Sequence, residues 1–80
     1  MSNMRDDFIN ASRLHFKAHV EKHRINVENL MSNPAGIGEH GDIMAEIEKE
    51  LGMMADYADK LEMLDYFEAE VGPNKTILND

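Results

Sequence analysis

Along the first third of the chain, apolar residues recur at helical intervals. Phe16, Val20, His23, Val27 and Leu30 follow a 4-3-4-3 spacing, and Ile9 extends the row seven residues upstream. That spacing returns each side chain to one face of a helix, whereas a half-buried strand alternates at every second residue. Met4 to Ser32 contains no glycine or proline, so the pattern predicts one helix over about 4–32. Leu14, Ala18 and Ile25 are expected to widen its apolar face. Ser2 or Asn3 can cap its start, and Asp6 and Asp7 in the first turn suit the positive end of the helix dipole.

Asn33-Pro34 ends this row, because proline disfavours helical backbone in the residue before it. Gly36, Gly38 and Gly41 follow, which predicts a corner at 33–41. A second row then begins. Ile43, Ile47, Leu51, Met54, Ala58, Leu61, Leu64 and Val71 step by three and four, with one step of seven. It predicts a helix over about 42–71 that Asp42 can cap, interrupted by Gly52 at about 1 kcal/mol relative to alanine. Gly72-Pro73 closes it, and 72–80 reads as a loose tail in which Ile77 and Leu78 can dock on a neighbour. A short corner between two long helices gives an all-α fold: one domain, an antiparallel two-helix hairpin.

A hairpin by itself has a thin core. Ordering each residue costs about 1.5 kcal/mol in entropy, so two apolar faces pressed together leave little margin. Both faces here are broad, and the expected remedy is self-association, two hairpins forming a four-helix bundle as a homodimer. The interface expected from the rows is Phe16, Val20 and Val27 with Ile47, Leu51, Met54, Leu61 and Leu64. Seven methionines make such surfaces adaptable.

Composition narrows the function. Among 80 residues there is no cysteine, which excludes a disulfide scaffold, a thiolate metal site and a cysteine nucleophile. Sixteen acids against eight bases give −8, and the excess is local. Residues 1–38 hold five bases and four acids, whereas 39–71 hold two bases and eleven acids, a net −9. That half repels a phosphate backbone, so direct nucleic-acid binding is not expected. No apolar run approaches the roughly 20 residues of a membrane span, and the start lacks the basic-then-apolar layout of a signal peptide. No membrane partner is expected, and the expected location is cytoplasmic.

Candidate chemistry is sparse. His15, His19 and His23 stand four residues apart on one helix face, a spacing at which two imidazoles can grip one metal ion. In a hairpin turning near Ile37, residue i lies level with about 73 − i, which sets His23 beside Glu50 and His19 beside Met54. Only one histidine then meets a carboxylate, and the Glu-x-x-His pair of di-iron bundles is missing. His15, His19, His23 and Glu50 are thus the metal candidates, but the expectation is no metal and no cofactor, with the histidines bonded to acids at the seam. Arg13, Lys17 and Lys22 are expected to pair with acids of the second helix. The glycine-rich corner lacks the lysine and spacing of a phosphate loop. With no Ser-His-Asp set and no catalytic carboxylate pair, an enzyme is not expected.

The strings Asn26-Val27-Glu28-Asn29-Leu30, Asn33-Pro34-Ala35-Gly36-Ile37-Gly38-Glu39-His40 and Lys60-Leu61-Glu62-Met63-Leu64 carry a resemblance. Over residues 26–67, about half of the chain, the sequence resembles a group of short uncharacterised proteins from contractile-tailed phages of marine cyanobacteria and similar ocean bacteria. The resemblance implies a phage origin and expression in a bacterial cytoplasm, and supplies no catalytic residues. The functional expectation is a small, non-enzymatic, self-associating helical interaction protein that binds a host or phage protein. The alternatives are an acidic inhibitor covering a basic nucleic-acid-binding surface, a metal-binding helical bundle, or a minor virion component.

Overall fold

The structure is a computed structural model that describes residues 3–32 and 42–69. The expected corner with its three glycines, the end of the second helix at Val71 and the 72–80 tail lie outside the described residues. Helix α1 spans Met4–Ser32 and helix α2 spans Ile43–Ala69, and no strand occurs among the described residues. Each helix start is capped by its own sequence. Asn3 Oδ1 accepts the Asp6 N–H at 2.8 Å, and Asp42 Oδ1 accepts the Ala45 N–H at 3.0 Å. Both caps satisfy backbone donors that have no partner inside the helix.

The helices run antiparallel. Arg5, near the start of α1, donates to the Phe67 carbonyl near the end of α2 at 2.7 Å, and His23 meets Glu50 midway. On α1 the seam is the row expected from spacing: Ile9, His23 and Val27 are buried, and Phe16, Val20 and Leu30 are half-buried. On α2 the half-buried row is Ile43, Ile47, Glu50, Met54, Tyr57, Leu61 and Leu64, a regular 4-3-4-3-4-3 alternation. Such a 3-4 alternation is the seam of helices packed knobs-into-holes.

Two expected positions are displaced from that seam. Leu51 is 47% exposed and Ala58 is exposed, while their neighbours Glu50 and Tyr57 face α1. The reason is periodic. Keeping a single 3-4 alternation from Ile43 to Leu64 selects 50 and 57, whereas the apolar row through 51 and 58 drifts round to the flank. Leu14 and Ile25 are likewise 70% and 54% exposed, and Ala18 is exposed. Each lies two residues from a seam position, about 200° round the helix, so they stand on the far side of α1 and do not widen the seam.

The hairpin buries little. Ile9, Val27 and His23, at 9%, 8% and 5% exposure, are its most enclosed side chains, while Met4, Phe8, Leu14 and Met44 are each more than 60% exposed. No described helix is long and apolar enough to cross a membrane.

Candidate functional site

The polar centre of the seam is assembled by register. The helices are aligned so that residue numbers summing to 73 meet, as His23–Glu50 and Phe16–Tyr57 do. Glu50, in the α2 row, accepts from His23 Nδ1 at 2.6 Å and from Asn26 Nδ2 at 2.9 Å. The His23 and Glu50 side chains are only 6% and 16% exposed. The hydrogen bond from His23, then that from Asn26, holds the Glu50 carboxyl below its ordinary value of 4.5, so it is ionised at neutral pH and accepts both bonds.

One turn away, His19 lies flat on Tyr57, with ring centroids 4.3 Å apart and planes 13° from parallel. His15 meets the His19 ring edge-on at 4.5 Å, and the Lys60 ammonium sits 5.1 Å from the centre of the Tyr57 ring. The buried Nδ1 of His19 has no hydrogen-bond partner. Burial first, then the charges of His15, Lys22 and His23, lower its pKa from the ordinary 6.5. His19 is therefore a packed, neutral aromatic ring at neutral pH.

The four metal candidates are thus divided between different contacts. His23 and Glu50 are joined to each other, His19 is stacked on Tyr57, and His15 is exposed. Among the described residues no group of three His, Asp or Glu side chains is placed to hold a metal ion. The level expected to bring His19 beside Met54 brings it to Tyr57, a shift of about one turn. Tyr57 and Asn26 are the two site residues that the spacing argument left out. The signal for Tyr57 was present, since it falls three residues after Met54 and four before Leu61.

The seam separates two unlike faces. On one, Arg13 reaches Asp65 at 3.4 Å and also pairs with Glu68. Lys17, Val20, Arg24, Glu28 and Met31 follow Arg13 at helical intervals on α1, and Glu62, Ala58, Ala55, Leu51, Glu48 and Met44 precede Asp65 at helical intervals on α2. On this arginine face the charged residues of α2 are all acids, whereas α1 mixes Arg13, Lys17 and Arg24 with Glu28, and Arg24 pairs with Glu21 of its own helix at 2.8 Å. Among the described residues Lys17 and Lys22 form no ion pair, in contrast to Arg13. The opposite, histidine face carries His15, His19 and Lys22 from α1 with Glu46, Lys49, Met53, Asp56, Tyr57 and Lys60 from α2. Near the open end of the hairpin this face holds an open apolar groove of about 490 Å³ between Met4, Phe8, Ile9, Leu64 and Phe67.

These features define a helical hairpin with a polar lock at its centre and two faces of different charge. No family model, curated protein or solved structure matches the chain. The functional reading therefore rests on the geometry.

Proposed function

We propose that this chain is a non-enzymatic interaction protein that works by self-association, two hairpins joining into a four-helix bundle that then binds a protein of its host or of the same phage. The observation that carries this reading is the mismatch between what the seam covers and what the helices expose. Among the described residues three are buried, while Phe8, Met31, Met44 and Phe67, at 66%, 59%, 79% and 52% exposure, remain in water. Apolar surface left wet contributes nothing to stability, and covering it yields about 25 cal/mol per Å². A second hairpin is the partner always present at matching concentration and length. The sequence resemblance implies a phage origin, and on this reading the assembly works in a bacterial cytoplasm. Sedimentation velocity at micromolar concentration tests the reading. A dimer is expected, and a monodisperse monomer of 9.1 kDa would overturn it.

One observation favours a second reading. Of the eight acids in α2, Glu46, Glu48, Asp56, Asp59 and Glu62 form no ion pair among the described residues. An acidic inhibitor seated on a basic nucleic-acid-binding surface would use such a row. A host pull-down should then recover a basic partner that salt releases, and salt-resistant recovery would argue against it.

A further inference from the structure

The apolar groove at the open end of the hairpin takes no part in the polar lock, and its lining and position say what fits it. Its lining is apolar apart from Arg5 and Ser12, and Met4, Phe8 and Phe67 are each more than half exposed there. Such a surface takes an apolar occupant. The hydrogen bond from Arg5 to the Phe67 carbonyl, at 2.7 Å, ties the first turn of α1 to the last turn of α2 beside it. The groove therefore lies where α2 hands the chain on to residue 70.

From that point the chain continues with suitable side chains. Between Ala69 and Asp80 the large aliphatic residues are Val71, Ile77 and Leu78. Val71 stands seven residues after Leu64 and continues the seam row, whereas Ile77 and Leu78 belong to no row of either helix. Gly72-Pro73 separates them from α2 and suits a chain reversal, since glycine accepts the left-handed conformation at a helix end and proline cannot continue the helix. Ile77 lies eight residues beyond Ala69, a reach of up to about 26 Å, while Leu64 lies five helical residues back, about 7.5 Å along the axis. That length returns to the groove with residues to spare for the turn. A short tether also decides between occupants. Its closure costs little, and it holds Ile77 and Leu78 at an effective concentration in the millimolar range, about a thousandfold above a second copy at micromolar concentration.

We propose that the occupant of this groove is the chain's own Ile77-Leu78 segment, folded back across Gly72-Pro73 to lie against Phe8 and Phe67. The contact takes Phe8 and Phe67 out of the surface open to a second copy and leaves Met31, Met44 and Leu51 on it. It forms within one chain, so it stands whether or not the hairpin self-associates. Paramagnetic broadening in the full chain tests it. The sequence has no cysteine, so Asn79→Cys gives a single attachment point for a nitroxide beside Leu78. Chain carrying both isotope and nitroxide is diluted into an excess of unlabelled wild-type chain. The amides of Phe8 and Leu64 should be broadened, while those of Leu30 and Met44 at the far end keep their intensity. Ile77→Asp combined with Leu78→Asp should remove most of the broadening at Phe8 and Leu64 without changing the helical circular dichroism. No broadening at those two amides, or broadening that the two aspartates leave unchanged, would overturn the proposal. Broadening seen only in a mixture with the nitroxide on one chain and the isotope on another would overturn it too, and would assign the groove to the segment of a second copy. Sedimentation of the same samples reports on self-association separately.

Discussion

The His23–Glu50 contact allows a sharp test of how the seam is held. Glu50 occupies a position that the 4-3 alternation would assign to an apolar side chain, and it is retained there by two donors, at 2.6 Å from His23 and 2.9 Å from Asn26. Replacing Glu50 by leucine leaves His23 Nδ1 without an acceptor beside a side chain only 6% exposed. A buried donor stripped of its partner costs about 1–3 kcal/mol, and part of that is recovered by the new apolar contact, so the expected net loss is about 1 kcal/mol. Replacing His23 instead leaves a carboxylate at 16% exposure with Asn26 as its remaining partner, and the expected loss is about 2 kcal/mol. The double variant His23→Leu with Glu50→Leu removes both polar groups and completes the apolar row. It should be about as stable as the wild-type chain, since replacing both partners of a hydrogen bond by apolar groups is often nearly neutral or stabilising, offset here by the Asn26 Nδ2 donor that loses its acceptor. Urea unfolding followed at 222 nm, at one fixed chain concentration because association adds to stability, gives all four corners of the cycle. Additive losses in the double variant would refute the coupling.

Three further outcomes follow from the same geometry. Gly52→Ala should stabilise the chain by about 1 kcal/mol in urea unfolding, because a Cβ there meets nothing within 4 Å and alanine is the better helix former; a loss of stability would show that close packing had been missed. Arg13→Ala should lower stability by about 1 kcal/mol at low salt and by much less in 1 M NaCl, because Asp65 and Glu68, its two partners, are exposed; an effect independent of salt would count against the pairs. Stability should fall on acidification in two stages. The His19 ring is faced by His15, Lys22 and His23 on its own helix and by Tyr57 beneath Lys60 on the other, and folding favours its neutral form. Its contribution is therefore present above its ordinary 6.5 and is lost as the pH falls below that value, while that of Glu50 is present above 4.5 and lost lower still. Melting temperatures from pH 7.5 to 3.5 read this out: His19→Gln should remove the upper stage, and a flat wild-type profile from 7.5 to 5.5 would defeat it.

Much of the hairpin was legible because helix periodicity is a local property. A row of apolar residues at three and four, a capping side chain at each start and an uninterrupted Met4–Ser32 are enough to specify α1. The pairing of His23 with Glu50 was legible because a hairpin corner fixes which residues share a level. What spacing could not supply was the rotation of α2 about its axis. The apolar row through Leu51 and Ala58 and the mixed row through Glu50 and Tyr57 differ by one residue, about 100° of helix. Hydrophobicity favours the first row. The second gives one unbroken alternation from Ile43 to Leu64 and brings Glu50 to two donors and Tyr57 to the His19 ring. That choice belongs to side-chain packing between helices, which a single row does not contain.

The polar lock also explains how a seam of modest stability can hold a single register. An apolar 3-4 seam tolerates a slip of one heptad, because each row repeats itself after seven residues. Such a slip of α2 would set His23 opposite Ile43 or Tyr57 in place of Glu50, losing both hydrogen bonds at the centre. One histidine–glutamate bond inside the hairpin thus sets the level of α1 against α2, and with it the level at which Arg13 reaches Asp65 on the flank. Register specificity is the best-attested use of a polar group in a helical seam, and here two hydrogen bonds to one carboxylate select the register that a purely apolar seam would leave open.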